Sequence, residues 1–536
     1  MDADGRTVLR ACGADGLTDP AGRLPDPLAA DSRGTPPGLD RGGAREPGMK
    51  PAPLSLKRIW LLLAILAVVV HGAWIQTVRV CMPECGASPY KYPYNMGDSG
   101  SYTLSSQALF DSRPMAPLFR ERIVFPLFLA AGIKLGDPTK TLFLMLPLHG
   151  VAVMAICYVA GTLSRRRWVS VLSGLLYIAN PSLYNFGINL GPDVLHAQLA
   201  IIATALAIAW PRSLRISLLV GATLLWIVTQ LTRPTYYPIA LGLALLWWPC
   251  LKNPGVRRAT ILALAATLLV PMFFVGTNAI RYGVATPYFA GYENVVKIIP
   301  ARIRMLKRHA QNPSQLYSRL YLEEEERAGQ DPDYLALQLR VACPTPKDFS
   351  LHYRNLMKAS LDLIGSNFGL FIRSGIEELR LTTMGCGSSP ANKIFPTNAA
   401  FAAAHDSVIR KTTKLALPLF VLGVWMALAN RQRRVLAFVF ICFALVFAPS
   451  IMLWWQGLRT RLPAELLMTP FIALSLGSLP GLGFIAGTAL AGYVPFKAFR
   501  FPEIYLKWTA WLCFALAALA VILPRMRGPR RPDGEI

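Results

Sequence analysis

The amino-acid sequence predicts an all-α polytopic membrane protein with about twelve transmembrane helices, interfacial helices in the first outer loop and one larger extracytoplasmic loop region. Three observations predict it. The chain is 53% hydrophobic and only 16% charged over 536 residues, with a mean hydropathy of +0.39, too apolar and too poor in charge for a soluble globular protein. Apolar stretches long enough to cross about 30 Å of hydrocarbon recur along it. Short basic segments separate them, as at 164–167, 257–258 and 431–434, which the positive-inside rule places in the cytoplasm. In lipid only helices or closed barrels satisfy their own backbone hydrogen bonds, so a helical bundle follows.

Residues 1–55 are rich in Pro, Gly, Asp and Arg without apolar periodicity and read as a disordered cytoplasmic tail. They lack the compact plan of a cleaved signal peptide, so the span at 58–78 is read as a retained anchor, with Lys57 and Arg58 holding the N-terminus inside. An outer loop over 79–138 follows, in which 99–110 and 123–135 are predicted as short interfacial helices, too short or too polar to cross. Spans at 139–163, 168–189, 193–211, 216–232, 234–250 and 259–277 complete an N-terminal module, 56–277. The region 278–412 is then extracytoplasmic. Its basic stretch 297–308 carries Ile298, Ile299, Ile303 and Leu306 at helical spacing and is expected to rest on anionic lipid. Its acidic run 323–326 reads as a solvated helix face, with cation binding as the alternative. Spans at 413–430, 435–455, 463–480, a Gly-interrupted 481–496 and 507–524 form the C-terminal module, 413–524, before a cytoplasmic tail, 525–536.

The formal charge of +25, from 55 basic and 30 acidic residues, would raise nucleic-acid binding in a soluble protein. Here much of it sits in short cytoplasmic loops, and no nucleic-acid partner is expected. Nine cysteines are scattered without the paired spacing of a zinc or redox site. Cys157, Cys250, Cys442 and Cys513 fall in or beside apolar spans and read as small packing residues. Cys81 with Cys85, and Cys343 with Cys386, are open between disulfides and free thiols.

The chemistry-bearing residues gather in outer segments. Asp98 precedes the 99–110 helix, with Tyr102 four residues on, where both side chains approach one face. An aspartate there caps a helix, and a capping carboxylate still accepts a proton from an incoming hydroxyl. Arg120 and Arg122 follow on the same loop; the planar, permanently charged guanidinium suits phosphate oxygens, and it equally suits lipid headgroups. Asp193 opens a span at the outer mouth, where a carboxylate is costly without a partner or a task, and the helix dipole offers it a bland role. His196, His71 and His149 read as bundle-facing polar residues. Arg233, before Pro234, and the late segment with Arg459, Arg461 and Glu465 interrupt spans on that same side. The nearby aromatics read mainly as an interfacial belt.

In order and common sidedness, Asp98-Ser99 with Tyr102, Arg122 before Phe125-Pro126-Leu127-Phe128, Arg233-Pro234-Thr235 and Arg459 to Glu465 resemble the GT-C class of membrane glycosyltransferases. The branch resembled holds protein O-mannosyltransferases and aminoarabinose transferases, which use polyprenyl-phosphate sugars, and the resemblance covers about residues 58–480. It implies Asp98 as the catalytic base, Asp193 as a second outer acidic residue that orients acceptor or donor, and Arg122, Arg233, Arg459 and Arg461 as donor-phosphate ligands. Tyr102, Arg120 and Glu465 would line the substrate site. It implies a bacterial inner-membrane enzyme that moves a sugar from a polyprenyl-phosphate carrier to a lipid, glycan or protein acceptor outside the cytoplasm, working amid membrane lipids. The first loop departs from the O-mannosyltransferase pattern of adjacent acidic residues. No cofactor or metal is expected, although carboxylates joined by the fold leave a divalent cation open. An envelope-glycan ligase or polymerase, and a lipid-sugar transporter or flippase, are the competing readings.

Overall fold

The computed structural model describes residues 55–81, 99–110, 122–164, 166–234, 239–287, 294–308, 323–324, 326–339, 345–383, 416, 419–428 and 457–478. The tail 1–55 apart from its last residue, both proposed cysteine pairs as bridges, and the spans at 435–455, 481–496 and 507–524 lie outside them. The described residues are helical throughout their regular structure. Four helices are long and apolar enough to cross a membrane, at Leu56–Val80, Lys140–Leu163, Asp193–Ser213 and Pro254–Tyr282, and shorter apolar helices accompany them.

The first long helix, α1 (Leu56–Cys81), starts after the basic pair, and its outward residues Leu61, Leu62, Ile65 and Val69 are exposed. On α12 (Pro254–Tyr282), Leu262, Leu269 and Phe273 are exposed in the same way. Aliphatic surface on this scale is stable when lipid is the solvent. Two short helices follow α1, α2 (Ser99–Phe110) and α3 (Val124–Lys134), at the positions the apolar pattern predicts. They pack on each other, and Ser106 Oγ ties them by donating to the Pro126 carbonyl at 3.0 Å. Gly132 on α3 meets the next turn so closely that a Cβ there would overlap Thr141 Oγ1 and lie 2.9 Å from Thr141 N.

Three of the segments read as single spans are broken into shorter helices. The 139–163 segment forms α4 (Lys140–Leu144) and α5 (Leu146–Leu163), joined at Met145. The 168–189 segment divides into α6 (Arg167–Ile178) and α7 (Pro181–Phe186), because Asn180 caps the second helix through Ser182 N at 2.8 Å and Pro181 cannot continue the first ladder. After α8 (Asp193–Ser213) and α9 (Ile216–Thr232), the 234–250 segment divides into α10 (Ile239–Leu246) and α11 (Trp248–Lys252). Leu214 turns the corner between α8 and α9 at a positive φ of 53°.

Beyond α12 the chain forms a π-turn (Asn294–Ile298), α13 (Ile299–Arg308), α14 (Pro332–Leu339), α15 (Pro346–Ser366) and α16 (Phe368–Thr383). Thr345 and Asp348 close a reciprocal capping box at the start of α15. Here two expectations are corrected. The apolar face of the basic α13 does not rest on lipid: Ile299, Ile303, Met305 and Leu306 are buried in protein, where α13 packs against α15 and α16. Within the acidic run, Glu323 and Glu326 are solvated, but Glu324 is buried and takes Arg308 at 2.5 Å and Arg327 at 3.4 Å.

The last described helix, α17 (Gly457–Leu476), begins earlier than the 463–480 span, so Arg459 and Arg461 stand in its first turns. It packs on α5, α6 and α8. The main core, with Ile156, Trp210, Trp226 and Phe471, runs through these helices, and Cys157 and Cys250 are buried within it, as small packing residues should be.

Candidate functional site

Two buried polar pairs flank one apolar cluster of the bundle. In the first, Tyr102 on α2 is fully buried, packs edge to face on Phe125 at 5.3 Å between ring centres, and accepts a 2.8 Å hydrogen bond from an Arg122 guanidinium nitrogen. Arg122 is itself buried just ahead of α3. The apolar run Phe125 to Leu129 draws this arginine down with the helix it precedes, and the phenol supplies an oxygen in its path.

In the second pair, Asp193 at the first turn of α8 is bonded to Arg233 at the C-terminal cap of α9, and neither side chain is more than 5% exposed. The helices run antiparallel, so the carboxylate sits at a positive helix end and the guanidinium at a negative one. The partner that a carboxylate needs at this depth is thus Arg233. His196, one turn into α8, lies with Nδ1 3.3 Å from the Thr229 carbonyl of α9 and helps to lock the same two helix ends together.

The pairs share an apolar support. Tyr102, Phe125 and Leu129 from α2 and α3 cluster with Leu190, Leu195 and Leu199, which flank Asp193, while Leu225 and Val228 of α9 pack against the same group. Residues from four segments, Tyr102, Arg122, Asp193 and Arg233, therefore lie at one end of the molecule. The late segment comes to it by a separate route. Arg166, before α6, donates to the Gly477 carbonyl beyond α17 at 3.1 Å, so α17 runs antiparallel to α6. The start of α17, with Arg459 and Arg461, consequently points toward the end at which α8 begins; their side chains lie outside the described part.

Glu465 occupies a different position from the other candidates. It faces the α6–α7 break, where Asn180 Nδ2 donates at 3.1 Å and Ser182 Oγ lies 2.9 and 3.0 Å from its two oxygens. Asn180 and Ser182 were not singled out in the sequence; Asn-Pro-Ser inside an apolar span was the available signal. Nearby, His71 on α1 stacks on His149 of α5, with ring centres 4.1 Å apart, and on Tyr184 at 5.0 Å, and the Tyr177 hydroxyl lies 3.5 Å from His149 Nδ1. The two histidines that look solitary in sequence are one buried stack. Asp98 and Arg120 lie outside the described residues. Among the described residues no three His, Cys, Asp or Glu side chains converge as metal ligands would.

Among the described residues, the fold and site define an all-helical structure with four helices long and apolar enough to cross a membrane and two buried polar pairs around one apolar cluster. No protein-family model and no curated protein matches this chain.

Proposed function

We propose that the chain is an integral-membrane glycosyltransferase of the bacterial inner membrane, moving a sugar from a polyprenyl-phosphate donor to a lipid, glycan or protein acceptor on the extracytoplasmic side. The observation that carries this reading is the gathering of Arg122 and Arg233 at one bundle end through a shared apolar cluster, on the side toward which the start of α17 also points. Basic segments at 166–167, 212–215 and 252–258 occupy the opposite helix ends, which supports a cytoplasmic assignment for that end and an outer assignment for the site.

In the reaction, an acceptor hydroxyl attacks the anomeric carbon while Asp98 takes its proton, and the bond to the phosphate oxygen breaks with inversion. The polyprenyl phosphate leaves with the bonding electron pair. Arginine charge at that end of the bundle offsets the charge that develops on it, the type of stabilisation that dominates such reactions. Asp193 is engaged by Arg233, which suits it to hold the arginine in position rather than to serve as the base. Tyr102 performs the same service for Arg122.

The test is transfer of labelled sugar from a panel of polyprenyl-phosphate sugars by the purified protein in lipid, beside Asp98→Asn of checked folding. Transfer that is lost in the variant supports the reading. Transfer that persists removes Asp98 from the mechanism, and no transfer from any donor overturns the proposal. A second reading, a lipid-sugar transporter, is favoured by the polar break at Asn180–Pro181 with Glu465 inside the bundle, a feature that suits moving helices. Translocation of a fluorescent polyprenyl lipid across vesicles, without transfer, would select it.

A further inference from the structure

The region between α12 and α17 contains a cleft of about 160 Å³. Its floor is apolar, from Val296, Pro300 and Leu356, and its rim carries Arg304, Arg327 and Gln330. Arg304 is exposed, and it makes no ion pair with a described residue. Arg327 is anchored on one side by Glu324 at 3.4 Å, which steadies the guanidinium without covering it, since its side chain is still 57% exposed. The carboxylate on the rim, Asp331, is occupied in capping α14: it accepts from Asp333 N at 3.0 Å and from Tyr334 N at 3.3 Å. Lys297 adds a further cation close by, with Nζ over the Tyr334 ring at 5.6 Å and near Gly329. Among the described residues, the rim therefore offers two guanidinium forks and an amide above an apolar floor, and the carboxylate there, Asp331, is engaged through Oδ1 by two backbone donors.

A cleft of about 160 Å³ is of the size that accommodates a single sugar ring. An apolar floor takes the C–H face of such a ring, and planar guanidinium groups take a carboxylate or phosphate in bidentate fashion.

We infer that this cleft binds an anionic, polyhydroxylated group of monosaccharide size: a sugar acid or sugar phosphate, or the glycerophosphate headgroup of a lipid. The site stands on its own geometry and needs no catalysis; under the glycosyltransferase reading it is where an acidic acceptor unit docks. Its partner helix α13 packs on α16, which in turn contacts α17, the helix that carries Arg459 and Arg461.

The experiment is binding to the full chain in nanodiscs, which leaves the fate of the transfer reaction out of the readout. Glucuronate, glucose 1-phosphate, glucose and inorganic phosphate are titrated calorimetrically in neutral-lipid discs, and a second arm measures retention of phosphatidylglycerol against phosphatidylcholine. Arg304→Ala and Arg327→Ala, both on exposed side chains, are compared with the native protein at matched thermal stability. Saturable binding of the anionic sugars, absent for glucose and weakened about tenfold or more by either substitution, assigns a sugar acid or phosphate. Arginine-dependent retention of phosphatidylglycerol alone assigns the lipid headgroup. Binding of inorganic phosphate as tight as that of the sugars, binding indifferent to both substitutions, or no binding in either arm overturns the inference.

Discussion

Removing one member of the Asp193–Arg233 pair should destabilise the protein far more than removing both. The pair is almost solvent-free, with side chains 2% and 5% exposed, so water screens little of the charge left behind. Breaking a buried pair in this way costs about 3–5 kcal/mol. Each residual charge would still face a helix end of complementary sign, Asp193 at the start of α8 and Arg233 at the end of α9, which returns about 0.3–1 kcal/mol. Asp193→Leu and Arg233→Met should therefore each lose about 2–4 kcal/mol, while the double variant stays within about 1 kcal/mol of the native protein. The assay is denaturant unfolding in mixed micelles, followed by tryptophan fluorescence across the full cycle. Single variants close to native stability, or a double variant that loses the sum of the single losses, would refute the view that the two charges clamp α8 to α9.

Other perturbations test the neighbouring structure. Glu465→Leu strands Asn180 Nδ2 and Ser182 Oγ inside the bundle and should cost about 1–3 kcal/mol, with Glu465→Gln losing less because its amide oxygen still accepts; thermal unfolding in detergent ranks the two. Gly132→Ala places a methyl against the Thr141 backbone nitrogen as well as its hydroxyl, an overpacking of about 1–3 kcal/mol that Thr141→Ala should relieve only in part. Burial raises the Tyr353 phenol on α15 above its usual value, opposed in part by its hydrogen bond with Thr286. The folded chain then holds that proton more tightly than the unfolded chain. This contribution is complete below about pH 10 and is lost as pH rises through the folded value, so melting temperature should fall more steeply above pH 10 in the native protein than in Tyr353→Phe.

Local pattern made much of the fold legible. The α2 and α3 segments and the start of α1 follow from apolar runs and flanking charge, because neighbours along the chain determine them. Helix breaks were less legible: Pro181 and Asn180 stand in a segment apolar enough to read as one span, and hydropathy averages over such residues. The destination of an amphipathic face was also hidden, since α13 shows the same pattern whether lipid or protein covers it. Partner choice was the hardest part. Asp193 shows in sequence as a carboxylate that needs compensation, but Arg233 lies 40 residues away, and His71 and His149 sit on separate helices. Such pairings depend on how helices pack, which no local spacing encodes. For the site, the arginines and acidic residues could be named from the sequence, while Tyr102 as the phenolic rest for Arg122 emerged only from the packing of α2 on α3.

The carboxylate that fills the α6–α7 break comes from 285 residues further along the chain. A membrane protein is made from its N-terminus, so Asn180 and Ser182 enter the bilayer long before their partner exists. Until α17 arrives, those groups must stay hydrated or borrow other partners, and the early bundle remains ajar at that point. Helix α17 is thus the keystone of the helices that precede it. A truncated chain that ends before Gly457 should insert its first spans and yet turn over rapidly, with the α6–α7 break still open to water and to quality-control proteases.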